Sequence, residues 1–311
     1  MATLQRFSLL CVLTCACAWL TWHGRAGRWW LGGLGAAMLL GQYIMLLALE
    51  TLLAARMHGT DPTPRPSARQ RLQAWWAEVG WCSAVFGWRQ PFQEHVLADD
   101  VAHRGRRGIV FVHGYCCNRG FWTPWFRLLR AAGVPYASVS LVPIFASIDD
   151  YAPQLDAAVR RLEAATGLPP VLVCHSMGGL VARAWWRWRR QSTPLTTDAA
   201  PAHRILTIGT PHTGTWLARW AQPLNARQMR QHSPWLQALA ASESAPQRAL
   251  FVCVYSHCDN IVFPPSTAAL SGAHALHLDG LAHLQLAHDG RVQALALRLL
   301  DSTDLNDTIT L

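Results

Sequence analysis

The chain has 311 residues, 51% of them apolar, enough to bury the core of one large domain or two small ones and to exclude a disordered chain. Only 14% are charged, below the ~25% usual for soluble domains, and the mean hydropathy is +0.11, so some segment should prefer lipid. The net charge of +9 raises nucleic acid as a partner. However, all 27 basic residues are Arg, they are scattered apart from Arg104 to Arg107 and Arg183 to Arg190, and no nucleic-acid-binding motif accompanies them.

The apolar excess comes first in the chain. Phe7 to Trp22 carries no charge, and Trp29 to Ala55 carries only Glu50. A spanning helix needs ~20 apolar residues, so helices over about 7–22 and 29–55 are expected within a membrane region covering residues 1–58. Trp19, Trp22, Trp29 and Trp30 bracket the turn between them, as interfacial aromatics do. The alternative makes the first run a signal peptide, with Arg6 as its basic region and Ala16-Cys17-Ala18 as a small-residue cleavage site. Arg56, Arg65, Arg69 and Arg71 follow the second run against Arg25 and Arg28 before it, which places the remainder of the chain in the cytoplasm. Residues 59–90 form a Pro-rich linker, Gly59 to Pro66, and a Trp-rich amphipathic stretch, Ala68 to Trp88, lying on the bilayer or against the next domain.

From Pro91 the pattern changes. Strands are expected at Gly108 to His113, Tyr136 to Leu141, Val171 to Cys174, Ile205 to Ile208, Leu250 to Tyr255 and Ala273 to Leu278. Helices are expected between and after them, at Phe121 to Ala132, Tyr151 to Thr166, Gly178 to Arg190 and Arg291 to Leu300. Continuous apolar strands alternating with helices indicate an α/β fold with a parallel sheet covered on both faces, whose ligand sites lie beyond the carboxyl ends of the strands. The nine cysteines include no CxxC pair and none near a His at zinc-ligand spacing, so no metal site is expected and a reducing compartment is favoured.

Two segments carry chemistry. In Val171-Leu172-Val173-Cys174-His175-Ser176-Met177-Gly178-Gly179, a strand runs into a Ser flanked by small residues and then into a helix. That is the context of a nucleophile elbow, a strained turn that pushes a Ser hydroxyl out of the top of a sheet; Gly178 fills the second glycine of G-x-S-x-G and Cys174 replaces the first. At the end of the first strand, His113-Gly114-Tyr115 lets the backbone approach that Ser, so the N–H groups of Tyr115 and Met177 become candidate oxyanion donors. His113 is expected to orient this loop.

With a third segment, Gly209-Thr210-Pro211-His212-Thr213-Gly214-Thr215, these motifs make residues from about 108 to 300 resemble the α/β-hydrolase superfamily, in its bacterial esterase and triacylglycerol-lipase-like branch. The resemblance implies a catalytic domain over 91–311, a Ser-His-Asp triad in the chain order Ser, acid, His, and no metal or organic cofactor. It points to Ser176 as nucleophile, to Asp259 as acid with Asp279 as rival, and to His283 as base with His288 as the main alternative. His274 and His277 fall within the last strand. The long segment 213–249, with Trp216, Trp220 and Trp235, would cap the active site as a lid or pack on the sheet as a helical excursion. The Arg/Trp run Arg183 to Arg190 would face anionic lipid or form an ordinary solvated helix end. The implied protein is a serine esterase or lipase anchored in a bacterial inner membrane, acting on an ester or lipid. A thioesterase, amidase or acyltransferase would use the same residues. A membrane scaffold that has lost activity is the non-enzymatic alternative.

Overall fold

The computed structural model describes residues 1–192 and 200–302, so the last residues of the expected catalytic domain, 303–311, lie outside the described part. The two apolar runs are helices Ala2–Arg25 and Trp29–Met57, each extending past the limits expected for it. Both are long and apolar enough to cross a membrane. They pack as a hairpin in which Gly32 and Gly35 are required by closeness: a Cβ at Gly35 would fall 2.0 Å from the Trp19 ring, whose Nε1 donates to the Leu31 carbonyl at 3.1 Å. Their outer surface exposes Phe7, Leu10, Leu34, Met38, Met45 and Leu52.

The Trp-rich stretch is a helix, Ala68–Ala84, opened by a capping box between Ser67 and Gln70 and prolonged by a π-helical turn, Val85–Arg89. One face is buried through Ala74, Glu78 and Val79, while Leu72 and Trp76 on the other are exposed. The buried face lies on the α/β unit, where Trp81 and Phe86 pack against one of its two core clusters.

Six strands form one parallel sheet: β1 Ile109–Val112, β2 Tyr136–Ser138, β3 Val171–His175, β4 Arg204–Ile208, β5 Phe251–Tyr255 and β6 His274–His277, in the order β2-β1-β3-β4-β5-β6. All six expected strands form, each within two or three residues of its anticipated ends. The period of two divides their side chains between the cores. Val110, Val112, Leu172 and Cys174 meet helices Ala152–Thr166 and Met177–Ser192, whereas Ile109, Phe111, Val171 and Val173 meet helices Thr123–Ala131 and Gly290–Asp301.

The Arg/Trp run departs from expectation, for most of it points inward. Trp185 is fully buried and donates to Asp156, and Arg183 is equally buried in a bidentate pair with Glu243, at 2.6 and 2.9 Å, with a further bond to the His212 carbonyl. Arg187 and Arg189 pair with Asp149 and Asp156, leaving Arg190 as the exposed arginine of the run. Partners 29 to 60 residues away in sequence turned an apparent lipid-facing surface into an internal ion-pair layer. Replacing Arg183 by Met would leave the buried Glu243 carboxylate with Arg248, at 3.2 Å, as its remaining cation, so a loss of about 1–3 kcal/mol is expected in urea unfolding, with part of it recovered in Arg183→Met/Glu243→Leu.

The segment between β4 and β5 holds short helices at Leu224–Gln228, Pro234–Ala241 and Ala245–Arg248. Asn225 and Gln228 tie it to the loop after β2 through Ile144, Ser147 and Ile148.

Candidate active site

The loops leaving the carboxyl ends of β1, β3, β4, β5 and β6 converge on one rim. Ser176 follows β3 directly and is held at φ 55°, in the left-handed region, where a non-glycine residue is strained. Its N–H donates to the Ile208 carbonyl and its own carbonyl accepts from Thr210 Oγ1, so the neighbouring strand and the Gly209-Thr210 turn fix it from both sides. Gly178 is there because of space: a Cβ would fall 2.4 Å from the Val112 carbonyl oxygen. The elbow expected from the Cys174 to Gly179 pattern therefore forms, and Met177 begins the helix, where the first N–H groups have no acceptor within the helix.

Gly114 brings the opposing loop in. A Cβ there would lie 2.8 Å from Ser176 Cβ, so a side chain would displace Ser176. His113 is buried and neutral: burial lowers its pKa to about 4, Nδ1 donates to the Gly114 carbonyl at 2.9 Å, and Nε2 accepts from Leu141 N–H at 3.0 Å. Both nitrogens are thus committed to loop geometry. Beyond Tyr115 the chain closes a turn, with Cys117 N–H on the Gly114 carbonyl and Cys116 left-handed at φ 55°.

Asp259 and His283 meet across the loops of β5 and β6. Asp259 Oδ2 lies 2.8 Å from His283 Nδ1, while Oδ1 accepts the N–H groups of Ile261 and Val262, each at 2.8 Å. Both side chains are buried, at 2% and 5% exposure. Gly209 separates this pair from the elbow: its φ is 55°, and a Cβ would come within 3.0 Å of Asp259 Oδ2 and 3.1 Å of His283 Nδ1. The His175 ring, adjacent to Ser176, packs 4.5 Å from that of His283, and its Nε2 donates to the His283 carbonyl at 3.3 Å. Burial, with the neighbouring His283, holds His175 well below its usual pKa.

The rival residues sit elsewhere. Asp279 faces His277 and His257. His288 stacks on Trp81 at 4.4 Å and lies beside Phe121, with its pKa driven to about 3 by burial. His274 and His277 are the two ends of β6.

Sequence reasoning missed a shell of polar groups contributed by the first 90 residues. Glu78 is buried and accepts the N–H groups of Leu284, at 2.9 Å, and Gln285, directly beyond the candidate base. Burial raises its pKa to about 7 against the opposing pull of His283 and of those N–H groups. Glu50 accepts from Asn260 Nδ2 at 2.9 Å, and Asn260 Oδ1 accepts the His283 N–H at 3.3 Å. Burial pushes the His283 pKa down, but Asp259, Glu78 and Glu50 together outweigh it and leave the imidazole above its usual value. On the other side, Gln90 Oε1 accepts from Gln5 Nε2 and from Asn118 N–H, which links the first helix to the loop after β1. The isolation of Glu50 in an apolar run was the one signal of this shell in the sequence.

No protein-family model matches the chain, and no curated protein matches it. Among solved structures, it is similar to the mature form of the Bacillus licheniformis lipase BlEst2, at 19% identity and a TM-score of 0.51 over 61% of this chain and 91% of that one. The propeptide form of that lipase superposes at 0.55, with 19% identity, over 69% of this chain and 55% of that one. Aspergillus fumigatus lipase B superposes at 0.54, with 17% identity, over 67% and 57%. The chain thus spans little more than half the length of the last two. Together with the six-stranded parallel sheet, these similarities establish the α/β-hydrolase fold, preceded by two apolar helices.

Proposed function

We propose that this chain is a membrane-anchored serine hydrolase of carboxylic esters, with Ser176, His283 and Asp259 as its triad. The observation that carries the reading is the buried 2.8 Å pair of His283 and Asp259 beside a strained Ser at the tip of β3. His283 takes the proton of the Ser176 hydroxyl through Nε2, and the alkoxide attacks the ester carbonyl. Tyr115 and Met177 N–H groups receive the developing oxyanion, and His283 returns the proton to the leaving alcohol. Water then releases the acyl group by the same route.

Asp259 holds the Nδ1–H tautomer and, with Glu78 and Glu50, favours the imidazolium that forms at each proton transfer. A lipid substrate is favoured by the apolar surface beside Tyr115, whose ring lies 5.9 Å from that of the exposed Phe145. The similar solved structures named as lipases agree with that choice. Helices Ala2–Arg25 and Trp29–Met57 serve as the anchor in an inner membrane, with the catalytic unit on the cytoplasmic side by the Arg bias.

A fluorophosphonate probe should label the intact protein in detergent and leave Ser176→Ala unlabelled, and p-nitrophenyl esters of increasing chain length should then report the acyl preference. Equal labelling of Ser176→Ala, or no labelling of folded wild type, would refute the proposal.

A further inference from the structure

A second cluster of titratable groups lies beside the candidate acid and base without contacting either. His257, two residues before Asp259, has a side chain only 2% exposed, and neither of its ring nitrogens has a hydrogen-bond partner in the protein. His277 closes β6 next to it, with the ring centroids 5.0 Å apart and Nε2 likewise unpartnered. Asp279 Oδ1 stands 3.3 Å from His277 Nδ1 and 3.6 Å from His257 Nδ1. The pairing of Tyr255 with His277 in the sheet brings the two loops out side by side, so the cluster follows from strand register.

A buried imidazole with both nitrogens unmatched has lost its hydration without replacement and needs a compensating partner. Asp279 alone does not supply it, because 3.6 Å is too long for a hydrogen bond and the carboxylate is 70% exposed. A cation fits the spacing. Tetrahedral arms of ~2.1 Å set ligand atoms ~3.4 Å apart, and one ligand atom from each of the three residues already lies within 4.8 Å of the others. Two imidazoles and one carboxylate are the donors of a borderline late first-row ion, whereas calcium and magnesium take oxygen. The exposure of Asp279 leaves an entry path and an open coordination position on the solvent side.

We propose that His257, His277 and Asp279 form a binding site for a late first-row divalent cation, best matched by Zn2+. The ion joins the loop after β5 to the loop after β6. Its binding stands independently of the catalytic assignment; only its consequence, bracing the loops that carry Asp259 and His283, rests on that reading.

The test uses the full chain in detergent, stripped with a chelator and titrated with Co2+. One equivalent should develop a visible d–d band without the near-ultraviolet charge-transfer band of a thiolate, and Zn2+ should displace it. Asp279→Asn, at an exposed position that leaves folding intact, and His257→Ala should each weaken binding more than about tenfold. Zn2+ should raise the melting temperature of wild type and leave that of Asp279→Asn unchanged. Ser176→Ala should bind as wild type does. Absence of a saturable Co2+ band, or equal binding by Asp279→Asn, overturns the site even where fluorophosphonate labelling succeeds. Binding in a protein that fails to label leaves the metal site standing and the catalytic reading refuted.

Discussion

Replacement of Asp259 by Asn is expected to lower kcat for ester hydrolysis by about 10^4-fold, the magnitude associated with the same change in a Ser-His-Asp triad, while leaving the fold intact. Asp259 Oδ1 accepts the N–H groups of Ile261 and Val262, and Oδ2 accepts from His283 Nδ1. An Asn keeps its single oxygen on the two loop N–H groups, because turning the amide over would set donors against donors. Its NH2 then faces His283 Nδ1, which must become an acceptor and shift its proton to Nε2, the nitrogen needed to receive the Ser176 proton. The loop remains satisfied and the base is in the wrong tautomer. Steady-state kinetics on a short p-nitrophenyl ester, beside circular dichroism and thermal melts, would measure this. A folded Asp259→Asn within tenfold of wild type would remove Asp259 from the triad and reopen the choice of acid.

Glu78→Gln is expected to stabilise the protein at alkaline pH while impairing it as a catalyst. The folded-state pKa of Glu78 is raised from 4.5 to about 7, so its contribution to stability is fully present below pH 4.5 and is lost as pH rises to 7. A shift of that size in a fully buried group corresponds to about 3 kcal/mol. Glutamine keeps an acceptor for Leu284 N–H and never ionises, so the stability gap between variant and wild type should be near zero at pH 4.5 and open as pH rises through 7.

The charges facing Glu78 are His283 and Asp259, with Glu50 acting on the same imidazole; Cys82 beside it is held protonated, its pKa about 12 through burial and the two nearby carboxylates. Loss of the Glu78 charge lowers the His283 pKa. The acid limb of kcat/KM should therefore move to lower pH, with lower kcat on the plateau because the imidazolium is less favoured. An unmoved limb would mean that Glu78 only caps the Leu284 and Gln285 N–H groups.

The elements legible in the sequence were those whose pattern is local. The six apolar strands have the length and composition of doubly covered parallel strands, and the tight turn at Ser176 needs small neighbours within three residues of it. The order of β5, β6 and their loops then placed Asp259 and His283 in adjacent turns. What was not legible depended on distant partners. Ala68 to Trp88 is amphipathic whether its apolar face meets lipid or protein, and only the fold shows Glu78 reaching Leu284, 206 residues on. Arg183 carried the same ambiguity, since its charge reads as surface until Glu243 is brought beside it. His257, His277 and Asp279 escaped because a search for metal sites keyed to cysteine spacing overlooks ligands assembled by strand register.

Glu50 has a bearing on where the reaction happens. It lies seven residues before the end of helix Trp29–Met57, about 10 Å along the axis at 1.5 Å per residue, and it is bonded to Asn260, the residue after Asp259. If that helix spans the bilayer as proposed, its end at Met57 marks the headgroup level. The proposed acid and base loops would then sit at or below that depth rather than suspended above it. An acyl chain would reach Ser176 by sliding sideways out of its own leaflet, with no stretch of water to cross.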